Sequence, residues 1–576
     1  MRKIEEGMPQ SASWAGTPSI KGSTESIRMA LLTFSLVGLQ FTWGIEMTYC
    51  TPYLLQLGLT KSRTSLVWIA GPLSGLIMQP VVGVLADNSR SKWGRRRPFM
   101  VGGALIVAVC LLVLGWTGEI VRIFVREPET VGDWKYSLLG VTAYDGLQAK
   151  SCTIALAVIS IYAVDFAINA VQSSCRSLIV DTLPIAKQQL GSAWGYGAGT
   201  LDLVSIFGNI LGDSQFKQLT VIAAVGFLIA IGVTSWAVEE RVLISARDDG
   251  AKTGAVKMIS KILKTTMHLP DRIQAICWVQ FWAWIGWFPF LFYSTTWVGE
   301  VYFRYHPETN ASASKDALGD VGRVGSLSLV VFSLITFVAS ILLPFVVQSP
   351  DMSRSRPFTP RPPAFLGPFA PLVTALDKRK PDLLTAWQFS HVIFAGAMCM
   401  APFVRSLQMA TVIVSICGIP WALACWAPFA FMGVEINRLT TPSTMLANGS
   451  SYRRLSNSND DFSSPAPSPT FLRLNHLDRD DDSSSGDSST GETAGIYLGI
   501  LNLFTTLPQF VGTFISMIVF SILEPGKSPE LHEDSGEEDV AKAADGPNAI
   551  AVCLFIGALS AVGAAYATTR MKAGSK

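Results

Sequence analysis

Residues 65–116 read SLVWIAGPLSGLIMQPVVGVLADNSRSKWGRRRPFMVGGALIVAVCLLVLGW. Two apolar runs of about twenty residues flank a short loop that carries Arg90, Lys92, Arg95, Arg96 and Arg97. Each run is long enough to cross roughly 30 Å of hydrocarbon as a helix. Working outward, the same pattern recurs along all 576 residues. Twelve spans are expected, near 28–54, 65–86, 99–118, 153–178, 194–212, 218–238, 273–296, 325–348, 385–404, 408–434, 494–522 and 547–569. Charged residues make up only 15% of the chain, well below the roughly one quarter of a soluble protein, and the mean hydropathy is +0.37. The fold class is therefore all-α and polytopic. A soluble enzyme, a nucleic-acid binder and a secreted disulfide scaffold are excluded. The net charge of +2 points to no partner.

Six spans precede residue 240 and six follow 271, which is the layout of transporters built from repeats. The division expected is a tail at 1–26, a first six-helix bundle at 27–240, a linker at 241–271, a second bundle at 272–569 and a tail at 570–576. The linker is basic, as are the loop after span 2 and the loop after span 8, which holds Arg354, Arg356, Arg361, Lys378, Arg379 and Lys380. All three lie on one side of an even-numbered topology. The positive-inside rule makes that side cytoplasmic and places both termini there. Residues 524–546, on the opposite side, are acidic. The Ser- and Asp-rich loop 438–493 is expected to be disordered, either as a tolerated insertion or as a phosphorylation or trafficking segment. A glycosylation sequon at Asn310 falls in an outside loop, whereas the one at Asn448 faces the cytoplasm. Residues 1–26 are polar and no cleavable signal follows them. Eight of the nine cysteines fall in or beside apolar runs, and no CxxC pair or Cys/His cluster suggests a metal.

An ionisable group in hydrocarbon costs about 2.5–3.5 kcal/mol or more, so each one needs a reason. Span 4 reads IYAVDFAINAVQSSCRSLIVD from Ile161. Asp165, Asn169, Gln172 and Arg176 stand at i, i+4, i+7 and i+11, one narrow helical face. That face points into a bundle or a water-filled cavity, either as a polar seam or as a binding and coupling stripe. Asp165 and Arg176 are roughly 16 Å apart along the axis, too far to pair. Span 1 reads LQFTWGIEMTYCTPYLL from Leu39, with Glu46 as a buried acid, Thr42 and Tyr49 on its face, and Pro52 able to kink the helix. Burial disfavours the charged carboxyl, which suits Glu46 to carry a proton; the alternative is a Glu46 solvated near the headgroups. Span 7 reads WIGWFPFLFYSTTWVGE and ends in Trp297 and Glu300. Aromatics such as Trp43 and Trp297, beside amides, acids and arginine, suit a carbohydrate, although tryptophans also form interfacial belts.

In the loop after span 2, Gly83 would allow close packing, Asp87 could cap the next helix or pair with an arginine, and Gly94 would allow a tight turn. Arg95, Arg96 and Arg97 could pair with acids at cytoplasmic helix ends. Such a latch would break when the halves rock, and the cluster also serves as a topology anchor.

The segments TPYLLQLGL (51–59), 65–99, VDFAINAVQSSCRSLIVD (164–181), WIGWFPFLF (284–292) and GRVGSLSL (322–329), with Gly499, Asn502, Pro508 and Gln509, resemble the sucrose–proton symporters of plants and their fungal and animal relatives. These form part of the glycoside-pentoside-hexuronide group of the major facilitator superfamily. The resemblance implies proton-coupled import of sucrose, maltose or related α-glucosides by alternating access, with no cofactor beyond the proton gradient. The partners are then a small sugar, protons and the bilayer. Proton coupling falls on Asp165 assisted by Glu46, and sugar binding on Arg176, Asn169, Gln172, Trp43, Trp297 and Glu300. Glu300 stands where the plant proteins have an arginine, Thr296 where they have an aspartate, and Lys61 where they have a histidine. The pattern is nearer the fungal α-glucoside symporters. A non-transporting sugar sensor on the same fold is the competing reading, and it would usually carry a folded signalling extension. An embedded enzyme is excluded by the absence of HExxH and GxSxG segments. The plasma membrane is the expected location, with the vacuolar membrane second.

Overall fold

The computed structural model describes residues 13–15, 19–87, 89–124, 141–182, 215–240, 242–245, 260, 264–305, 317–348, 380–448, 487–524 and 547–573. Among them, eleven helices are long and apolar enough to cross a membrane. They are Glu25–Gln56, Lys61–Gly83, Arg97–Gly115, Lys150–Ile179, Phe216–Ala237, Asp271–Tyr305, Val324–Leu343, Leu383–Phe403, Leu407–Ile436, Tyr497–Leu523 and Ala549–Met571. These coincide with expected spans 1–4 and 6–12. Span 5, the sequon at Asn310 and the acidic residues 525–546 lie outside the described residues.

Polar side chains start several spans where the chain leaves the membrane. Thr24, Thr60, Asp382 and Ser406 each accept a backbone N–H from the first turn of the following helix, satisfying donors that have no partner within the helix. Span 1 packs on span 6, span 3 on spans 4 and 6, and span 2 on span 4. In the second bundle, span 7 packs on spans 8, 11 and 12, and span 9 on span 12. Spans 1 and 6 are also joined by polar contacts: the Ser35 N–H donates to Thr234 Oγ1 at 2.9 Å, and that hydroxyl donates to the Leu31 carbonyl at 3.0 Å. Such bonds tie helices together where apolar burial discriminates poorly between protein and lipid. Leu105, Ile106 and Val109 of span 3 stay exposed, as a lipid-facing surface requires.

Three boundaries depart from expectation. The polar tail 1–26 contributes two short strands, β1 (Ser13–Ala15) and β2 (Ser19–Ile20). They pair antiparallel with β4 (Val242–Ser245) and β3 (Val238–Glu239), just after span 6. The loop expected to be disordered over 438–493 is shortened from both sides, because the span 10 helix runs on to Asn448 and the span 11 helix starts at Asp487. All nine cysteines are free.

Candidate functional site

The candidate site starts where span 1 changes its winding. Its α-helix ends at Ile45, a π turn occupies Glu46–Cys50, and α-helix resumes over Thr51–Gln56. Pro52, in the first turn of that resumed helix, has no N–H to return to the carbonyls behind it. Glu46, 2% exposed, is turned inward and stands within hydrogen-bonding range of Asp165 of span 4, which is 0% exposed. Among the described residues no group donates to any of their four carboxyl oxygens. Span 2 passes Asp165 at Gly71, where an added Cβ would stand 3.9 Å from Asp165 Oδ1, at ordinary contact distance. On its other side Glu46 borders a small cavity of about 10 Å³ within the first bundle. Headgroup solvation of Glu46 is thereby ruled out in this conformation.

Below Asp165 the stripe is divided. Asn169 is buried against span 2, with Nδ2 donating to Ser74 Oγ at 2.8 Å and to the Asp165 carbonyl at 3.0 Å. In this conformation it joins spans 2 and 4 as a polar seam. Gln172 is half-buried and Arg176 exposed.

The aromatic candidates separate in the same way. Trp43 is half-buried at the edge of the core. Trp297 is 0% exposed, and among the described residues no acceptor meets its Nε1. It is a core residue in this conformation rather than part of an exposed belt. Glu300 is also withdrawn: it pairs with Lys61 of span 2, Oε1 to Nζ at 2.6 Å, and accepts Asn548 Nδ2 at 3.0 Å. Lys61 pairs with Glu524 as well, and Glu524 accepts the Ala549 N–H at 3.0 Å and lies 3.9 Å from Arg304. A buried cation of the first bundle therefore sits among acids of the second. Beside it Tyr293 donates to Ser65 Oγ at 3.0 Å, and the Ser62 and Ser521 hydroxyls meet at 2.7 Å. These contacts close the two bundles together at the end opposite the arginine-rich loop.

In that loop the acid that matters is Glu240, directly after β3. Its carboxylate accepts the backbone N–H of Arg95 at 2.7 Å, of Arg96 at 2.9 Å and of Arg97 at 3.0 Å, where span 3 begins. An anion at a helix N-terminus meets free donors and the positive end of the helix dipole. Gly94 adopts φ +108°, and a Cβ there would stand 2.8 Å from Glu240, so the tight turn is formed and only glycine fits it. The close packing expected at Gly83 is not formed, because a Cβ there meets nothing within 4 Å. The Asp87 side chain lies outside the described residues. The reading from residues alone missed Glu240, although its signal, an acid pair closing span 6 on the same side as the loop, was present. It also missed Glu524, Asn548 and the π turn.

Fold and site together define a multi-pass membrane protein of the major facilitator fold. Residues 33–122 match the family described as MFS/sugar transport protein. The general alpha-glucoside permease of Schizosaccharomyces pombe is 29% identical over 94% of this chain and 93% of its own length. A sucrose transport protein of Arabidopsis thaliana is 26% identical over 75% of this chain and 82% of its own. The crystal structure of a bacterial homologue of the human lysosomal transporter Spinster, inward-facing and unoccupied, aligns with a TM-score of 0.50 at 13% identity, covering 96% of this chain and 98% of that one. The chain is thus similar in sequence to an α-glucoside permease and to sucrose transport proteins along most of its length.

Proposed function

We propose that this protein imports sucrose, maltose or a related α-glucoside together with protons, by alternating access. The observation that carries the reading is the buried Glu46–Asp165 pair, whose oxygens have no protein donor among the described residues. Two carboxylates in contact away from water cannot both be ionised, because their repulsion is unscreened. The pair therefore holds a proton whenever it is closed off as it is here. Exposure to the outside loads it, and exposure to the inside releases the proton.

The arginine-rich loop marks the cytoplasmic side by the positive-inside rule, so the Lys61–Glu300–Glu524 contacts hold the outer end shut, and both termini are cytoplasmic. The plasma membrane is the location that makes such a carrier an importer driven by an acidic exterior. Sugar meets Arg176, whose planar fork suits adjacent hydroxyls, with Gln172 and Trp43 as the other accessible candidates. The names of the relatives support α-glucosides as the substrate class.

The experiment is uptake of radiolabelled sucrose, maltose, trehalose and glucose in a transport-deficient cell, with and without a protonophore. Accumulation of a disaccharide that the protonophore abolishes is the expected result. Uptake of none of the four, or accumulation indifferent to the protonophore, contradicts the proposal.

A further inference from the structure

The π turn Glu46–Cys50 does more than redirect span 1. Such turns occur often at functional sites, where a helix releases backbone groups for other partners. Here Pro52, just past the turn, has no N–H to return to the turn's carbonyls, so one of them is left short of a donor. The Met47 carbonyl is taken up by the second bundle: Thr295 Oγ1 of span 7 donates to it at 3.4 Å. Just past the turn, Thr51 Oγ1 donates to the Phe292 carbonyl of span 7 at 3.2 Å and accepts Trp68 Nε1 at 3.0 Å. One turn of span 7 thus holds the π turn from both sides. Thr295 is itself backed by span 8, where a Cβ added to Gly325 would lie 2.8 Å from the Thr295 carbonyl and 3.1 Å from its Cα. Gly325 belongs to the GRVGSLSL segment, which the transport reading leaves without a role.

We infer that Thr295, seated on Gly325, is a positioning residue for proton coupling: it holds the π turn that brings Glu46 to Asp165, and so links the carboxyl pair to the closing of span 7 on span 1. The inference rests on the reading of that pair as the proton site. Among the described residues the titratable groups facing Glu46 are Asp165 from span 4 and Cys50 from its own turn. Spans 3 and 6 present Leu111, Leu114, Phe216 and Thr220, which do not titrate there. Span 7 presents the Thr295 hydroxyl to the turn. A change at Thr295 therefore reaches the pair through geometry, since it removes no charge.

The test compares Thr295→Val, Thr295→Ser and Gly325→Ala in cells with matched surface expression. Two activities are read: protonophore-sensitive accumulation of labelled maltose across external pH, and exchange of labelled for unlabelled maltose at equal concentrations. Losing one hydrogen bond should lower accumulation about fivefold and displace its pH profile in Thr295→Val, with exchange retained. Thr295→Ser should restore both. Gly325→Ala, which displaces Thr295 without removing the hydroxyl, should reproduce the valine result and substitutes for it if Thr295→Val does not reach the surface. Equal losses of exchange and accumulation with an unmoved pH profile, or no change, would overturn the inference. If wild-type accumulation ignores the protonophore, the proton-site reading fails and this inference with it. If the wild type responds, Asp165→Asn does not, and Thr295→Val behaves as wild type, the assignment of Thr295 alone fails.

Discussion

Lys61 shows how one residue can set a conformational equilibrium. Its ammonium is 3% exposed and Glu300 is 2% exposed, so neither charge has water to fall back on. Breaking a buried pair by removing one partner costs about 3–5 kcal/mol, chiefly because the other charge is stranded. In a carrier that cost falls only on conformations in which the two bundles meet at the Lys61 end. Lys61→Met should therefore slow the maximal uptake rate, and adding Glu300→Gln should recover part of it. The double-mutant cycle of initial rates should show coupling above about 1 kcal/mol; additive losses would mean the pair does not govern closure. Both residues stand out in the sequence, as departures from the plant pattern. Their pairing does not, because a one-dimensional reading carries no distance between residue 61 and residue 300. The same limit applied to Glu46 and Asp165, each recognisable as a buried acid but not as half of a pair. The packing of Asn169 and Trp297 was out of reach for a related reason. Helical spacing identifies a face, and only packing decides whether span 2, the core or the sugar path lies against it.

Elements were legible where their cause is local. An apolar run of membrane length has one way to satisfy its backbone, so eleven spans fall where hydropathy puts them. The π turn has a local cause in Pro52 and a distant one in Thr295, and only the first is visible in sequence. The arginine-rich loop is likewise held by an element far along the chain. Glu240 gathers three consecutive N–H groups at the start of span 3, and it follows directly on β3, which pairs with the N-terminal tail. Glu240→Ala should strip these donors of their acceptor and destabilise the loop by about 1–2 kcal/mol. The expected outcome is a lower maximal rate with sugar affinity nearly unchanged, measured by equilibrium binding on purified protein beside uptake in cells. A large loss of affinity in a folded Glu240→Ala protein would place the loop's influence at the sugar site instead.

At the scale of the whole molecule, two bundles meet tightly at the Lys61 end, and the buried carboxyl pair lies within the first bundle, beside the contact of Met47 with Thr295 of span 7. This arrangement lets a proton bear on which face is open. The driving force is adequate: a potential of 100 mV supplies about 2.3 kcal/mol per charge moved inward, enough to sustain roughly a fiftyfold sugar gradient for one proton per sugar. The measurement that addresses coupling most directly is external pH in a lightly buffered suspension of energised cells when maltose or sucrose is added. The account predicts a transient alkalinisation with the wild-type protein, as protons enter with sugar, and none with Asp165→Asn, even though that protein still binds sugar. Alkalinisation by Asp165→Asn equal to the wild type, or sugar entry through the wild type with no proton movement, would contradict it.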